Sequence, residues 1–319
     1  MTARSRPPRA GGRTSRLPDR VFRSGSGLFG ATVVVILVVL GVQLAVNGDQ
    51  ALSTFGTGFL TGSTWDPVAG IYGALPYIVG TIAAALIAVT LAAPIGILTA
   101  IFLAELAPRR LALPLTFAVE LLAAIPSVVY GLWGVFVLGP VLHSTVEAWI
   151  VETLGWIPLF AGPTFGIGLF AAGIILAIMI LPTIVSISRD VISAVPDSHR
   201  EAMLALGATR WETVSRAVLP VARSGIAGAV ILGLGRALGE TMAVTMVIGN
   251  GEHIPTSMFS TAQTIASKIA TTFNEAQVGL QTSALIALGL VLLVITLTLN
   301  VVARFLVWRA AGVSGGGRT

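Results

Sequence analysis

The run Gly235-Arg236-Ala237-Leu238-Gly239-Glu240-Thr241-Met242-Ala243-Val244-Thr245-Met246 sets a guanidinium and a carboxylate four residues apart inside an apolar stretch. A charge at the centre of a membrane helix costs about 2.5–3.5 kcal/mol on insertion scales, so such residues face a bundle interior or a wet cavity. This i, i+4 spacing puts Arg236 and Glu240 about 40° apart on one helical face, within reach of each other. Two readings stand side by side. The pair is a buried ion pair that fixes helix packing, or Arg236 stabilises an anion in transit while Glu240 holds the guanidinium and limits how tightly the anion binds. The planar fork of arginine matches oxyanion geometry. Glu120, about two turns into another apolar stretch and ahead of Pro126, could pair with Arg236 or snorkel toward the cytoplasm. Thr241 and Thr245 point more than about 90° from the Arg236 face and read as helix-packing residues.

Other chemistries fail for want of residues. A phosphate-cradling Walker loop needs Lys followed by Ser or Thr, and Lys268, the sole lysine, precedes Ile269. ATP hydrolysis is therefore expected on a separate subunit, and the chain is not expected to be an enzyme. His143, His199 and His253 are far apart in sequence, so neither a metal site nor a cofactor is expected. Gly312-Val313-Ser314-Gly315-Gly316 matches a nucleophile elbow formally but sits in a glycine-rich tail without strand or helix. Gly235 and Gly239 form a GxxxG pair, which reads as close helix packing.

The elements that must position these residues follow from composition. The 319 residues are 55% hydrophobic and 10% charged, with a mean hydropathy of +0.92, where a soluble chain has about 25% charged residues. Disorder, collagen and, with no cysteine, a disulfide scaffold are excluded. An all-α polytopic membrane protein remains. Six apolar runs are long enough to span, near Leu28–Val46, Ala74–Ala104, Leu113–Leu138, Phe165–Ser188, Ala222–Ile248 and Ser283–Ala303.

Seventeen of the 19 basic residues flank one side of these runs. Lys268 alone lies on the other, and Arg236 falls within a run. Because Lys and Arg are retained in the cytoplasm, both termini are expected there, with 47–73, 139–164 and 249–282 facing outward. Topology thus accounts for the net charge of +5 without a nucleic-acid partner. Residues 1–27 read as a disordered basic cytosolic tail resting on anionic lipid, and 309–319 as a second cytosolic tail. A cleaved signal peptide over residues 1–50 is disfavoured, because no small-x-small site precedes Asn47.

The connection at about 189–221 is the most informative polar segment. Asp197 or Ser198 can cap a helix whose first turn carries Glu201, and Gly207 can end it in a left-handed cap. Thr209 can then begin a second helix through Trp211 to Pro220. The resulting helix–turn–helix presents Leu204, Leu206 and Trp211, either as an amphipathic cover for the bundle ends or as a docking element.

The spacing resembles a known signature. The EAA loop of bacterial ABC importer permeases runs Glu-Ala-Ala, Gly after three residues, and Ile-x-Leu-Pro after nine more. This chain has Glu201-Ala202-Met203, Gly207 and Leu219-Pro220 in that register, with Met203 for Ala and Ala217 for Ile. In that family the loop inserts coupling helices into a groove of the ATP-binding subunit. Arg236 through Val244 resembles the signature of the phosphate-specific ABC permeases. Tyr72-Gly73-Ala74-Leu75-Pro76-Tyr77-Ile78-Val79-Gly80-Thr81 and Glu120-Leu121-Leu122-Ala123-Ala124-Ile125-Pro126-Ser127-Val128-Val129-Tyr130-Gly131-Leu132-Trp133-Gly134 resemble their PstC-type subunits more than the PstA type.

The resemblance covers roughly 28–308 and implies a six-helix permease domain of a type I importer in a bacterial inner membrane. It implies a PstA-type second permease, two PstB-type ATP-binding subunits and an external PstS-type phosphate-binding protein as partners. Phosphate would pass Arg236, Glu240 and Glu120 by alternating access, and Glu201, Ala202, Gly207, Leu219 and Pro220 would couple the ATPase. The competing readings are a permease for another oxyanion or polar solute, and a stand-alone channel or secondary transporter. The last lacks a visible inverted repeat between the two halves.

Overall fold

The structure, a computed structural model, describes residues 16–312. Helix α1 spans Arg16–Phe55, and α2 spans Leu75–Leu106 with a π-helical last turn. Next come α3 at Arg109–Ala124, α4 at Ser127–Leu154 and α5 at Leu169–Ser193. The order then runs α6 at Asp197–Ala205, α7 at Arg210–Gly239 and α8 at Met242–Val247. Helices α9 at Ile265–Thr272 and α10 at Leu280–Gly312 complete it. One short antiparallel ribbon, β1 (Trp65–Asp66) with β2 (Ile71–Tyr72), pairs Trp65 with Tyr72. Among the described residues six helices are long and apolar enough to cross a membrane, lying in α1, α2, α4, α5, α7 and α10. Such segments are helical because lipid offers backbone amides and carbonyls no partners.

Packing is built from small residues against branched ones. Helices α2 and α5 make the most extensive contact, with Ala84, Ala85, Ala88 and Ala92 against Ile175, Leu176, Ile180 and Ile184. An added Cβ at Gly173 would lie 2.4 Å from Ile87 Cγ2, and one at Gly96 2.9 Å from Ile184 Cγ2. The two helices interlock only because those positions carry no side chain. A second cluster unites Ala51, Phe59, Trp65, Tyr77, Ile265 and Leu288 at the end opposite the termini. A third joins Ala100 and Ile101 to Ile192, Val195, Val214 and Val218 beside the polar connection.

Several expectations are corrected. Residues 16–27, expected in a disordered tail, begin α1, since that helix starts twelve residues before the apolar run. Helix α10 continues through residues 309–312 of the expected C-terminal tail. The remainder of both tails, 1–15 and 313–319 with Ser314, lies outside the described residues. The expected third span at 113–138 is two helices, because Ile125 and Pro126 are extended (ψ 128° and 140°). A residue before proline is driven from helical geometry, and proline has no N–H to continue the ladder. Tyr130 Oη donates to the Leu122 carbonyl across that break at 2.7 Å. The crossing helix therefore starts at Ser127, and residues 139–154, expected in an outward loop, extend it. Helix α3 has no buried residue and lies on the outside of the bundle.

Candidate permeation and coupling sites

Arg236 occupies the last turn of α7, where a cation is favoured by the unpaired carbonyls at a helix end. Its Nη1 donates to Thr183 Oγ1 of α5 at 3.3 Å, and the side chain is exposed on the single chain. Glu240 is not on the same helix. Its backbone is extended (φ −67°, ψ 130°) and ends α7, so the assumption of a continuous span at 222–248 fails there. Its Oε1 accepts the Ala243 N–H at 3.3 Å and caps the start of α8. Thr241 donates to the Gly239 carbonyl and Thr245 to the Thr241 carbonyl, so both serve the break and the short helix.

The expected Arg236–Glu240 contact is therefore not formed. Among the described residues no carboxylate lies within 4.0 Å of the Arg236 guanidinium. The break is the physical reason, since i, i+4 proximity holds only while the helix continues. Glu120 is not beside Arg236 either. It is exposed on α3 and lines a small cleft with Ser186 and Arg189, whose Nη1 donates to Thr116 at 2.8 Å.

The polar connection folds as two short helices. The α6 N-cap is Pro196, with no side-chain cap bond, instead of Asp197 or Ser198. Asp197 sits in the first turn and pairs with Arg200 at 3.1 Å. Gly207 stands at φ +81°, with its N–H bonded to the Leu204 carbonyl and the Ala208 N–H bonded to that of Met203. Thr209 and Glu212 form a reciprocal capping box that starts α7. Glu201 and Ala202 are exposed, as are Leu204, Leu206 (84%) and Trp211 (59%). Leu219 packs against the third cluster, and Pro220 is exposed in the first turn of the regular part of α7.

Two ionic centres were not anticipated as centres. Arg200, counted only for topology, donates from Nη2 to Glu105 Oε1 at 2.6 Å and to the Ile192 carbonyl at 3.1 Å, and from Nη1 to the Val195 carbonyl at 2.6 Å. The pair is largely buried and ties the connection to the last turn of α2. Breaking one partner of such a pair leaves an uncompensated charge, so the tie is rigid. Glu105, an acid closing an apolar run, was the signal. At the opposite end Lys268 is 3% exposed. It pairs with Glu252 and lies 4.9 Å from the Trp65 ring centroid and 5.3 Å from that of Tyr77, a desolvated cation over two aromatic faces.

Comparison with known proteins adds descent to this geometry. The family profile described as "Binding-protein-dependent transport system inner membrane component" matches residues 92–311, enclosing both sites. A Mesorhizobium japonicum protein named phosphate transport system permease protein PstC is 48% identical over 303 residues, 94% of this chain and 93% of its own. A Haemophilus influenzae protein of the same name is 44% identical over 301 residues, 93% and 95% of the two chains. Among solved structures, a bacterial alginate ABC transporter in complex with its alginate-bound periplasmic protein aligns with a TM-score of 0.59 at 18% identity. That alignment covers 93% of this chain and 99% of the other. The MetNI methionine ABC transporter aligns with a TM-score of 0.53 at 19% identity, covering 73% and 93%. These last two likenesses show the fold.

Proposed function

Because this chain belongs to the binding-protein-dependent transport system inner membrane components, we propose that it is the PstC-type permease subunit of an ATP-driven phosphate importer. The observation that carries the reading is near-full-length identity of 44–48% to permeases named for phosphate transport. The site chemistry agrees with it. Arg236 stands at a helix break with a hydroxyl partner and, among the described residues, no acid within 4.0 Å, which leaves its fork available to an oxyanion. Glu240 acts by holding the break, through its bond to Ala243, and Glu120 acts at the Arg189 end of the path.

Its partners in this reading are a PstA-type permease, two PstB-type ATP-binding subunits and an external PstS-type phosphate-binding protein. The exposed Leu204, Leu206 and Trp211 insert into an ATP-binding subunit, and the Arg200–Glu105 pair carries that subunit's motion into α2. Phosphate then moves past Arg236 by alternating access.

The test is uptake of labelled phosphate by cells lacking their own phosphate permease and supplied with this chain and its partner subunits. Uptake is restored and unlabelled sulfate or molybdate in tenfold excess leaves it unchanged. Competition by sulfate would assign a different oxyanion, and no uptake at all would remove the importer reading.

Both termini lie in the cytoplasm in this reading. Orientation is checked with single cysteines, since the chain has none. Ser257, on the outward side by sequence, is 8% exposed and donates to the Leu159 carbonyl, so it is a poor labelling position. Val68 and Val278 are fully exposed. Val68→Cys and Val278→Cys react with an impermeant maleimide on intact cells or spheroplasts, and Arg110→Cys, exposed in the first turn of α3 and outside the docking element, reacts only after lysis. The reverse pattern inverts the topology.

A further inference from the structure

The face formed by α1, α7 and α10 carries a groove that neither site uses. Helices α1 and α10 run antiparallel, and at Gly48 their backbones nearly touch: an added Cβ would lie 3.1 Å from Ala287 Cα. Toward the termini a side chain stands between them: at Gly41 the nearest atom is Leu293 Cδ2 at 3.5 Å, with no backbone atom of α10 within 4 Å. Behind the opening stand Gly235 and Gly239, expected from sequence to pack tightly against a neighbouring helix. They do not. An added Cβ at Gly239 meets nothing within 4 Å, and one at Gly235 meets only the Asn300 amide, at 3.7 Å.

The space left is two adjoining cavities of about 410 and 500 Å³ that share Gly235, Leu297 and Asn300. The first is walled mainly by leucines, among them Leu37, Leu40, Leu44 and Leu293. The second ends at Arg304. From Gly289, at the closed end, to Arg304 at the mouth the helix rises about 22 Å at 1.5 Å per residue. A bilayer of about 40–45 Å including headgroups gives each leaflet about 20–22 Å. With Arg304 at the level of the headgroup phosphates, the groove is about one lipid long, mainly apolar along its length and cationic at its mouth. A transmembrane helix of another subunit would need a contact running through both leaflets, whereas α1 and α10 close this one at Gly48.

We infer that this groove binds one anionic phospholipid of the leaflet on the side of the chain termini. Its phosphate lies against Arg304 and Asn300, and an acyl chain runs along Leu37, Leu40, Leu44 and Leu293 toward Gly289. Because Gly239 immediately precedes the extended Glu240, the chain end lies behind the helix break that carries Arg236. Occupancy therefore supports the break from its lipid side.

The test titrates the purified, delipidated importer with phosphatidylglycerol or phosphatidylcholine and counts retained lipid by native mass spectrometry. One phosphatidylglycerol is retained per copy of this chain. Arg304→Gln weakens it about fivefold, to the phosphatidylcholine level, and Arg304→Lys stays within about twofold of wild type. Gly239→Leu fills the groove and reduces both lipids. Equal retention of the two lipids by wild type and Arg304→Gln would overturn the inference. So would a photo-crosslinker on Thr296→Cys that captures another subunit instead of lipid.

Discussion

Arg236→Gln is expected to abolish phosphate uptake while the importer still assembles. In the proposed mechanism the guanidinium supplies two charge-assisted hydrogen bonds to the passing oxyanion, each worth about 1.5–3 kcal/mol. Losing both lowers transport by about 10²-fold or more. Folding should survive, because Arg236 is exposed and its hydrogen bond to Thr183, at 3.3 Å, is long and weak. Arg236→Lys keeps the charge without the fork and should retain partial uptake. Thr183→Val, which removes only the orienting hydroxyl, should cost less than either. The measurements are initial uptake rates together with co-purification of the partner subunits. Undiminished uptake in Arg236→Gln would remove Arg236 from the path.

Gly207→Val is expected to uncouple ATP hydrolysis from transport. Gly207 sits at φ +81° where α6 closes, its own N–H bonded to the Leu204 carbonyl and the next, of Ala208, to that of Met203. A β-branched residue is a genuine outlier there, at a cost of about 1–3 kcal/mol. No neighbour contributes to that cost, since an added Cβ would meet nothing within 4 Å. The effect is thus confined to the turn that sets the angle between α6 and α7, and with it the positions of Leu206 and Trp211. Asparagine enters the left-handed region more readily, so Gly207→Asn should keep most of the coupling and Gly207→Ala should fall between. Binding-protein-stimulated ATPase activity and co-purification of the ATP-binding subunit report the result. If Gly207→Val left both intact, the docking role of this connection would be wrong.

The two predictions differ in how legible their residues were. Gly207 was readable because a left-handed helix stop is a local event: the residue, the helix before it and the cap at Thr209 all lie within a dozen positions. Arg236 was readable as a charge within an apolar run, but its relation to Glu240 was not. The i, i+4 pairing holds only on one continuous helix, and Gly239, which precedes the extended Glu240, is equally compatible with close helix packing. Pro126, by contrast, lay in plain view inside the expected third span. Its effect on Ile125 follows from sterics alone, yet hydropathy averaged across it. Arg200 and Glu105, 95 positions apart, could be paired only by a fold that brings the end of α2 beside α6.

What the sequence determined by itself is what short-range physics controls. Apolar runs of spanning length set the number of crossings, because lipid admits a backbone only if it satisfies itself. The motifs around Glu201 and Arg236 carried the family, and the clustering of cations carried the expected topology. Only the tertiary structure decided where the spans break, which acid answers which base, and that Gly235 and Gly239 open a groove instead of closing a contact. Those outcomes depend on which helices lie beside one another. Helices α2 and α5 approach through Gly96 and Gly173, while α1 and α10 touch backbone to backbone at Gly48 and through the Leu293 side chain at Gly41, and that choice is made by the packing of all the helices at once.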